Sequence, residues 1–275
     1  MTLITVAPTG AETSKSDVPA LPVTLSELVG TAQECEALGA SVIHIHVRDA
    51  DAKPSLDPAL LRDTVQAVRA ETNLIVQLST GGAVTDPEAA RLAVVDAGPD
   101  MGSCTMGTLN FGEDVFMNRW EFIVALHQKM QENGVVPEYE IFDLGHLHAL
   151  GRLLDKYGLP AGGHVHVDFV LGVPGGAPGT TETLVAFKHA LRDLPAGATF
   201  SATGVGRSSL PVMLAALSAG GHLRVGMEDT LTYAKGQPVD GNMQLVARAA
   251  GFARLAQRPP LTPDEARSML GIKGR

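Results

Sequence analysis

The chain has 275 residues, of which 45% are hydrophobic, and a formal net charge of −9 at pH 7. A chain of this length and composition can bury a sizeable core, and its negative charge without a basic run argues against nucleic-acid binding. Its two cysteines, Cys35 and Cys104, are too few for a disulfide framework, and Cys104 is expected to be a small buried residue.

No apolar run reaches the ~18–20 residues needed to cross a membrane. The N-terminus also lacks the basic region and apolar stretch of a signal peptide. These features predict a cytoplasmic protein that does not associate with membranes.

Short apolar runs alternate with amphipathic segments along the first half of the chain. Thr24 and Glu27 have the spacing of a capping box, Gly39 stands where the same helix would end, and Pro58 suits a first helical turn. The pattern predicts strands at residues 3–7, 41–48, 74–79 and 101–106, and helices at 24–38, 57–71, 86–97 and 118–133.

The second half of the chain repeats this alternation. Its predicted strands are residues 137–142, 164–171, 199–205 and 222–227, and its helices 145–157, 180–192, 210–219, 239–256 and 262–270. Eight strand–helix units without a linker predict a single (β/α)₈ barrel domain over residues 1–275, with an extra C-terminal helix. The alternative is an open doubly wound sheet, but no Gly-x-Gly-x-x-Gly motif follows the first strand.

The second strand contains two histidines among β-branched residues. Because side chains alternate along a strand, His44, His46 and Arg48 share one face and the apolar residues between them share the other. Two imidazoles so placed near a strand end suit a metal ion. The alternative is a pair of hydrogen-bonded histidines in a polar barrel core, and Arg48 is expected to form a structural ion pair.

A third metal ligand is available from the eighth strand, which lies across the first strand from the second in a closed ring. Glu228 follows that strand and completes a set of two histidines and one carboxylate. Asp229 comes next and suits the removal of a proton α to a carbonyl beside the metal. The alternative for Asp229 is the N-cap of the following helix.

Further polar residues lie where active sites of such barrels form, at the carboxyl ends of strands. They are Glu12, Ser79, Thr80, Ser103, Thr105, Glu138, Glu140, Arg207 and Arg224.

A second histidine pair, His164 and His166, precedes Asp168 on the sixth strand, opposite the second. These three residues are interpreted either as a separate metal site or, preferably, as hydrogen-bonded residues lining the barrel. The loop after the sixth strand, Gly172, Val173, Pro174, Gly175 and Gly176, offers backbone amides to a phosphate or is an ordinary βα loop.

Taken together, these residues resemble the β-keto acid cleavage enzymes, in particular those that act on 3-keto-5-aminohexanoate in lysine fermentation. The resemblance covers nearly the whole chain. It lies in residues 9–13 (TGAET), 42–48 (VIHIHVR), 77–82 (QLSTGG), 107–112 (GTLNFG), 135–140 (VVPEYE), 169–176 (FVLGVPGG), 220–229 (GGHLRVGMED) and 244–248 (QLVAR).

The resemblance implies a zinc-dependent barrel that forms a homo-oligomer, either a dimer or a tetramer. The implied zinc ligands are His44, His46 and Glu228. Asp229 is the implied general base, oriented by Glu140, and Arg224 stabilises negative charge. The implied substrate contacts are Glu12, Ser79, Thr80, Ser103 (where the family has threonine) and Thr105.

The implied reaction joins a β-keto acid to acetyl-CoA and yields acetoacetate and a new CoA thioester. The Gly172–Gly176 loop is the implied wall for CoA. Glu12, at the distal end of the pocket, favours a substrate with a cationic tail, such as 3-keto-5-aminohexanoate. Two alternatives remain: a metal-dependent aldolase or hydrolase that needs no acetyl-CoA, and a binding protein without catalytic activity.

Overall fold

Eight parallel strands close into a barrel in the computed structural model, which describes residues 1–274. The strands follow chain order around the ring, and the last strand pairs with the first to close it. The predicted barrel is therefore confirmed over an open sheet. The strands are β1 (Ile4–Val6), β2 (Val42–Ile45), β3 (Ile75–Leu78), β4 (Met101–Thr105), β5 (Val136–Ile141), β6 (His166–Leu171), β7 (Thr199–Gly204) and β8 (His222–Val225).

Nine helices surround or close the barrel in the described part of the chain, and each overlaps a predicted one. Thr24 and Glu27 form the expected capping box, and Gly39 ends the first helix in a left-handed conformation. None of these helices has the length and apolar character to cross a membrane. The helices are α1 (Leu25–Leu38), α2 (Pro58–Glu71), α3 (Glu88–Ala93), α4 (Trp120–Asn133), α5 (Leu144–Tyr157), α6 (Thr181–Ala190), α7 (Ser209–Ser218), α8 (Asn242–Leu255) and α9 (Pro263–Leu270).

The strand pleat separates an apolar outer layer from a polar interior. Ile43 and Ile45 belong to the large core between the strands and the helices, whereas His44 and Gln77 are buried inside the barrel. At the amino end of the barrel, Leu3 and Val42 pack with Leu270 of α9 in a separate apolar cluster. The extra helix therefore closes the bottom of the barrel and leaves the carboxyl end open for a site.

The second strand is shorter than predicted. It ends at Ile45, so His46 lies on the rim, and Arg48 forms an isolated antiparallel bridge with Pro54. The chain folds back here because the Asp49 carboxylate accepts hydrogen bonds from the amides of Asp51 and Lys53.

Two short hairpins were not predicted. Leu109–Phe111 pairs with Asp114–Phe116 after β4, and Thr232–Ala234 pairs with Gln237–Pro238 after β8. Both extend from the carboxyl end of the barrel. Phe111 and Phe116 of the first hairpin pack near Phe142, which makes this hairpin an apolar cover over part of the barrel mouth.

Candidate active site

A cavity of about 260 Å³ opens at the carboxyl end of the barrel. Its floor is polar and contains His44, His46, Ser79, Glu140, Arg224, Glu228 and Asp229. The apolar part of its lining consists of Val84, Phe111, Phe116, Phe142, Val170, Val173, Pro174 and Val205. Such a cavity suits a small molecule with one charged end and one apolar or extended end.

The floor brings together the three predicted metal ligands. Nε2 of His44 lies 3.7 Å and Nε2 of His46 3.5 Å from Oε1 of Glu228. Within residues 1–274, these three side chains are the group of histidine and carboxylate ligands close enough to share one ion. Oε2 of Glu228 is buried and has no hydrogen-bond partner, which is what an acceptor reserved for a metal would show.

The orientation of His44 is fixed from behind. Its Nδ1 lies 2.5 Å from Oε1 of Gln77, and because an amide oxygen can only accept, Nδ1 must hold the proton. The amide nitrogen of Gln77 donates to Glu138, 3.2 Å away. Burial lowers the pKa of His44 to about 4, so the ring is neutral and its Nε2 lone pair is available to a metal.

Arg224 joins the carboxylates of the floor. Its guanidinium donates to Glu228 at 2.5 Å and to the two oxygens of Asp229 at 3.0 and 3.2 Å, and it lies 3.4 Å from Glu140. Although burial opposes a charge on Arg224, Asp229 and Glu228 hold its pKa well above the ordinary value. Oε2 of Glu140 accepts from the Thr105 hydroxyl at 2.6 Å, which fixes that carboxylate.

Asp229 has the environment of a general base. Burial raises its pKa to about 6, against the lowering effect of Arg224. It does not cap a helix, because the N-cap of α8 is Gly241. Gly226 allows the turn that presents Asp229, since a Cβ at this position would overlap the carbonyl of Ala7.

The rim opposite the hairpin is the loop that contains Glu12. Gly10 adopts a left-handed φ of +67° and lies against the side chain of Glu228. Arg48 donates to the carbonyls of Gly10 and Thr13 at 2.6 and 2.8 Å, and to Ala52 at 3.0 Å. Arg48 therefore holds the loop through backbone carbonyls, in place of the ion pair expected from the sequence.

The predicted substrate contacts separate into two groups. Glu12, which is exposed, and Ser79 line the cavity. Thr80 and Ser103 instead bond each other: the Thr80 hydroxyl donates to the Ser103 carbonyl at 2.7 Å. The hydroxyl of Thr105 donates to Glu140, and Thr105 does not line the cavity.

The Gly172–Gly176 loop supports the hairpin. The amide of Gly172 donates to the carbonyl of Ala177 at 2.9 Å and the amide of Gly176 to that of Val173 at 3.0 Å, so neither amide is available to a phosphate. Gly175 lies against the carbonyl of Asn110 in the hairpin, where a Cβ would not fit. Of the loop, only Val173 and Pro174 line the cavity within the described residues.

The second histidine pair lines the barrel, as preferred from the sequence. His166 bonds the hydroxyls of Thr199 and Ser201 at 2.8 and 3.1 Å, and His164 bonds Thr199 at 2.7 Å. Within residues 1–274, His164, His166 and Asp168 do not form a group of ligands close enough to share one ion, and Oδ2 of Asp168 accepts from Thr203 at 2.6 Å.

Sequence reasoning missed two contributors to the site. A single amide such as that of Gln77 in an apolar strand gives no signal by itself, yet the parallel register places Gln77 beside His44. The strands that contain Phe111 and Phe116 flank a turn with a glycine, and this pattern is the sequence signal that could have predicted the hairpin.

The fold and site together define a (β/α)₈ barrel with two histidines and a carboxylate that could hold one metal ion, and with a further buried carboxylate, Asp229, at the mouth. Residues 1–272 match the family described as beta-keto acid cleavage enzyme. The chain belongs to this family.

Relatives agree with this assignment, and a solved structure shares the fold. A 3-keto-5-aminohexanoate cleavage enzyme of Acetoanaerobium sticklandii is 38% identical, with 98% of each chain covered. A 3-oxoadipate:acetyl-CoA acetyltransferase of Cupriavidus necator is 32% identical, with 98% of this chain and 94% of the relative covered. The apo structure of ObcA shares the fold, with a TM-score of 0.79 at 19% identity over 92% of this chain and 66% of that one.

Proposed function

We propose that the protein is a zinc-dependent enzyme that cleaves an amino-substituted β-keto acid with acetyl-CoA. The products are acetoacetate and the CoA thioester of the remaining acyl group. The observation that carries this proposal is the position of Asp229, a carboxylate with a pKa of about 6, next to the three metal ligands and paired with Arg224.

The donor set fits zinc. Two imidazole nitrogens and one carboxylate leave positions open for substrate, and the unpartnered oxygen of Glu228 is free to bind the ion. When bound, the ion would polarise the carboxylate and keto oxygens of the substrate and acidify the carbon between them.

Asp229 takes the proton from that carbon. A pKa of about 6 suits a base that works near neutral pH, and Arg224 keeps the carboxylate turned toward the cavity. Glu140 lies on the other side of Arg224, where Thr105 fixes it, so the guanidinium is held between two carboxylates. Arg224 then stabilises the negative charge that develops on the reacting oxygens.

The bonds balance without a covalent enzyme intermediate. The carbanion attacks the acetyl carbonyl, and the CoA thiolate leaves. The thiolate adds to the keto carbon of the original substrate, the bond between the keto carbon and its α carbon breaks, and protonated Asp229 returns its proton to the acetoacetate carbanion. Buried Cys104, whose pKa burial raises to about 12, takes no part as a nucleophile.

Glu12 supports a substrate with a cationic tail. Within residues 1–274 its carboxylate has no hydrogen-bond partner, it is exposed, and it lines the cavity apart from the floor carboxylates that pair with Arg224. An anionic tail would meet like charge there, whereas an ammonium group would form an ion pair. The similarity to two 3-keto-5-aminohexanoate cleavage enzymes supports the same choice.

The test is to incubate zinc-loaded protein and acetyl-CoA with β-keto acids whose tails are cationic, neutral or anionic. Acetoacetate and the new thioester are measured by mass spectrometry. We expect turnover to be highest with the β-keto acid that has a cationic, amino-substituted tail. Failure to form acetoacetate from any of them would refute the proposal, and turnover without acetyl-CoA would identify an aldolase or hydrolase.

The metal is tested on its own by removing a ligand. His46→Ala should lose zinc, whereas His148→Ala, which changes an exposed histidine of α5, should retain it. The zinc content of each variant is measured after dialysis against a weak chelator. Full retention of zinc in His46→Ala would eliminate the site.

The family supports three further features, which we include in the proposal. They are a homo-oligomer, a cytoplasmic location and a place in lysine degradation. Light scattering on the purified protein measures the first, and cell fractionation the second.

A further inference from the structure

A second and larger cavity adjoins the active site. It has a volume of about 890 Å³ and shares Thr13, Val205, Glu228 and Asp229 with the first cavity. The base and one metal ligand therefore lie on the wall between the two spaces. A molecule in the second cavity can place a reactive group next to a substrate held in the first.

The far part of this cavity is basic. Arg207, after β7, and Lys235, in the turn of the second hairpin, are both exposed and line it, together with Arg248 of α8. Within residues 1–274 none of these three cations forms an ion pair. In a chain with a net charge of −9, three unpaired cations around one cavity indicate an anionic ligand.

Arg248 gives the sharpest indication. Its side chain is 9% exposed, and its Nε is buried without a hydrogen-bond partner. Its remaining contacts are the carbonyl of Tyr233 and the hydroxyl of Ser209, with the Tyr233 ring 5.3 Å from the guanidinium carbon. A buried guanidinium without a carboxylate costs free energy that a bound anion would offset.

The N-terminus of α7 adds to the positive charge around this cavity. Ser209 and Leu210 line the cavity, and no side chain caps this N-terminus. The partial positive charge at a helix N-terminus favours a phosphate beside the arginines. Tyr233, 38% exposed in the same wall, offers an aromatic face to a base.

We propose that this second cavity binds the phosphate-bearing nucleotide end of acetyl-CoA, and that the pantetheine arm leads from there to Asp229. The inference rests on the proposed use of acetyl-CoA. It assigns the nucleotide to Arg207, Lys235 and Arg248 and leaves Val173 and Pro174 of the Gly172–Gly176 loop to contact the keto acid. The two substrates then enter from different cavities and meet at the shared wall.

The test compares binding of CoA with binding of a thioester that lacks the nucleotide. The variants are Arg248→Met and the double variant R207Q/K235Q, which changes only exposed side chains. The control is Arg62→Gln on the exposed face of α2. Calorimetry on zinc-loaded protein gives the Kd for CoA, and kinetics give KM for acetyl-CoA, acetyl-pantetheine and the keto acid.

We expect each change to the basic cavity to weaken CoA binding about tenfold or more, as loss of charge-assisted hydrogen bonds would. KM should rise for acetyl-CoA, with a much smaller change for acetyl-pantetheine and for the keto acid. Binding of CoA by R207Q/K235Q and by folded Arg248→Met with the affinity of the wild type would overturn the assignment. If Arg248→Met does not fold, the double variant decides alone.

Failure of the nucleotide site and failure of the proposed reaction give different results in these measurements. If the wild type binds CoA but has no activity, and R207Q/K235Q no longer binds CoA, the proposed keto acid cleavage is refuted and the nucleotide site is supported. An active wild type whose variants keep the KM for acetyl-CoA would support the reaction and refute the site.

Discussion

Gln77 lies directly behind His44, with its side-chain oxygen 2.5 Å from Nδ1 of the imidazole. The parallel pairing of β2 with β3 places the two residues side by side, so the contact follows from the register of the barrel. Glu138 holds the Gln77 amide from the other side. His44, a proposed metal ligand, is thus oriented by two residues outside the proposed ligand set.

Loss of this contact should weaken metal binding without removing a ligand. Gln77→Met keeps a similar volume but cannot accept the Nδ1 proton, and we expect zinc affinity to fall about 10–100-fold. Competition with a fluorescent chelator measures the dissociation constant. The matched control is Gln33→Met on the exposed face of α1. Equal affinities in the two variants would contradict the role of Gln77.

Asp229→Asn should stop proton abstraction while the zinc stays bound. We expect kcat to fall about 10²–10⁴-fold, the usual contribution of a general base. Exchange of the α protons of the keto acid in D₂O, followed by NMR without acetyl-CoA, isolates this step from thioester chemistry. Zinc content is the control, because Asp229 is not among the three ligands. Exchange at the wild-type rate would assign the base elsewhere.

The barrel and the approach of His44 and His46 to Glu228 could be predicted from the sequence for the same physical reason. Strand periodicity sets which residues point inward, and the carboxyl ends of adjacent strands meet at one rim, so His44 and His46 were placed near Glu228. The roles of Gln77 and Arg248 could not be predicted this way. Each depends on packing between distant segments, namely the register of β2 with β3 and the approach of the second hairpin to α8.

The two hairpins were not predicted from the sequence, for a related reason. Their strands are two or three residues long, and such short pairs gain stability from the surface on which they pack. The first hairpin depends on Phe142 and on the close approach of Gly175 to Asn110. From the sequence, residues 172–176 are either a phosphate-binding loop or an ordinary βα loop, and in the structure Gly175 of this loop packs against the first hairpin.

Glu12→Gln should change specificity more than rate. Removing the carboxylate from the rim should lower kcat/KM for an amino-substituted β-keto acid by up to about fivefold, the effect of losing one exposed ion pair. Activity on a neutral substrate should change little, because Glu12 lies away from the floor that contains Asp229. Kinetics with the two substrates measure the difference. An equal loss on both would show that Glu12 does not contact the amine.

Stability should depend on pH through His222, which lies inside the barrel at the start of β8. Its Nδ1 accepts the amide proton of Leu3 at 3.0 Å, and burial lowers its pKa to about 3. The unfolded chain binds a proton at this residue below a pKa of about 6.5, whereas the folded chain does not. His222 therefore stabilises the fold fully above that value, and its contribution is lost as the pH falls toward 3.

The expected slope is up to about 1.4 kcal/mol per pH unit for one proton. Urea denaturation of wild type and His222→Gln at pH 7.5, 5.5 and 4.5 isolates the contribution of His222 to the free energy of unfolding, because the other buried histidines are common to both proteins. Gln can still accept the amide of Leu3 through its side-chain oxygen. The wild type should lose more stability on acidification than the variant, and parallel curves would show that His222 titrates alike in the folded and unfolded chains.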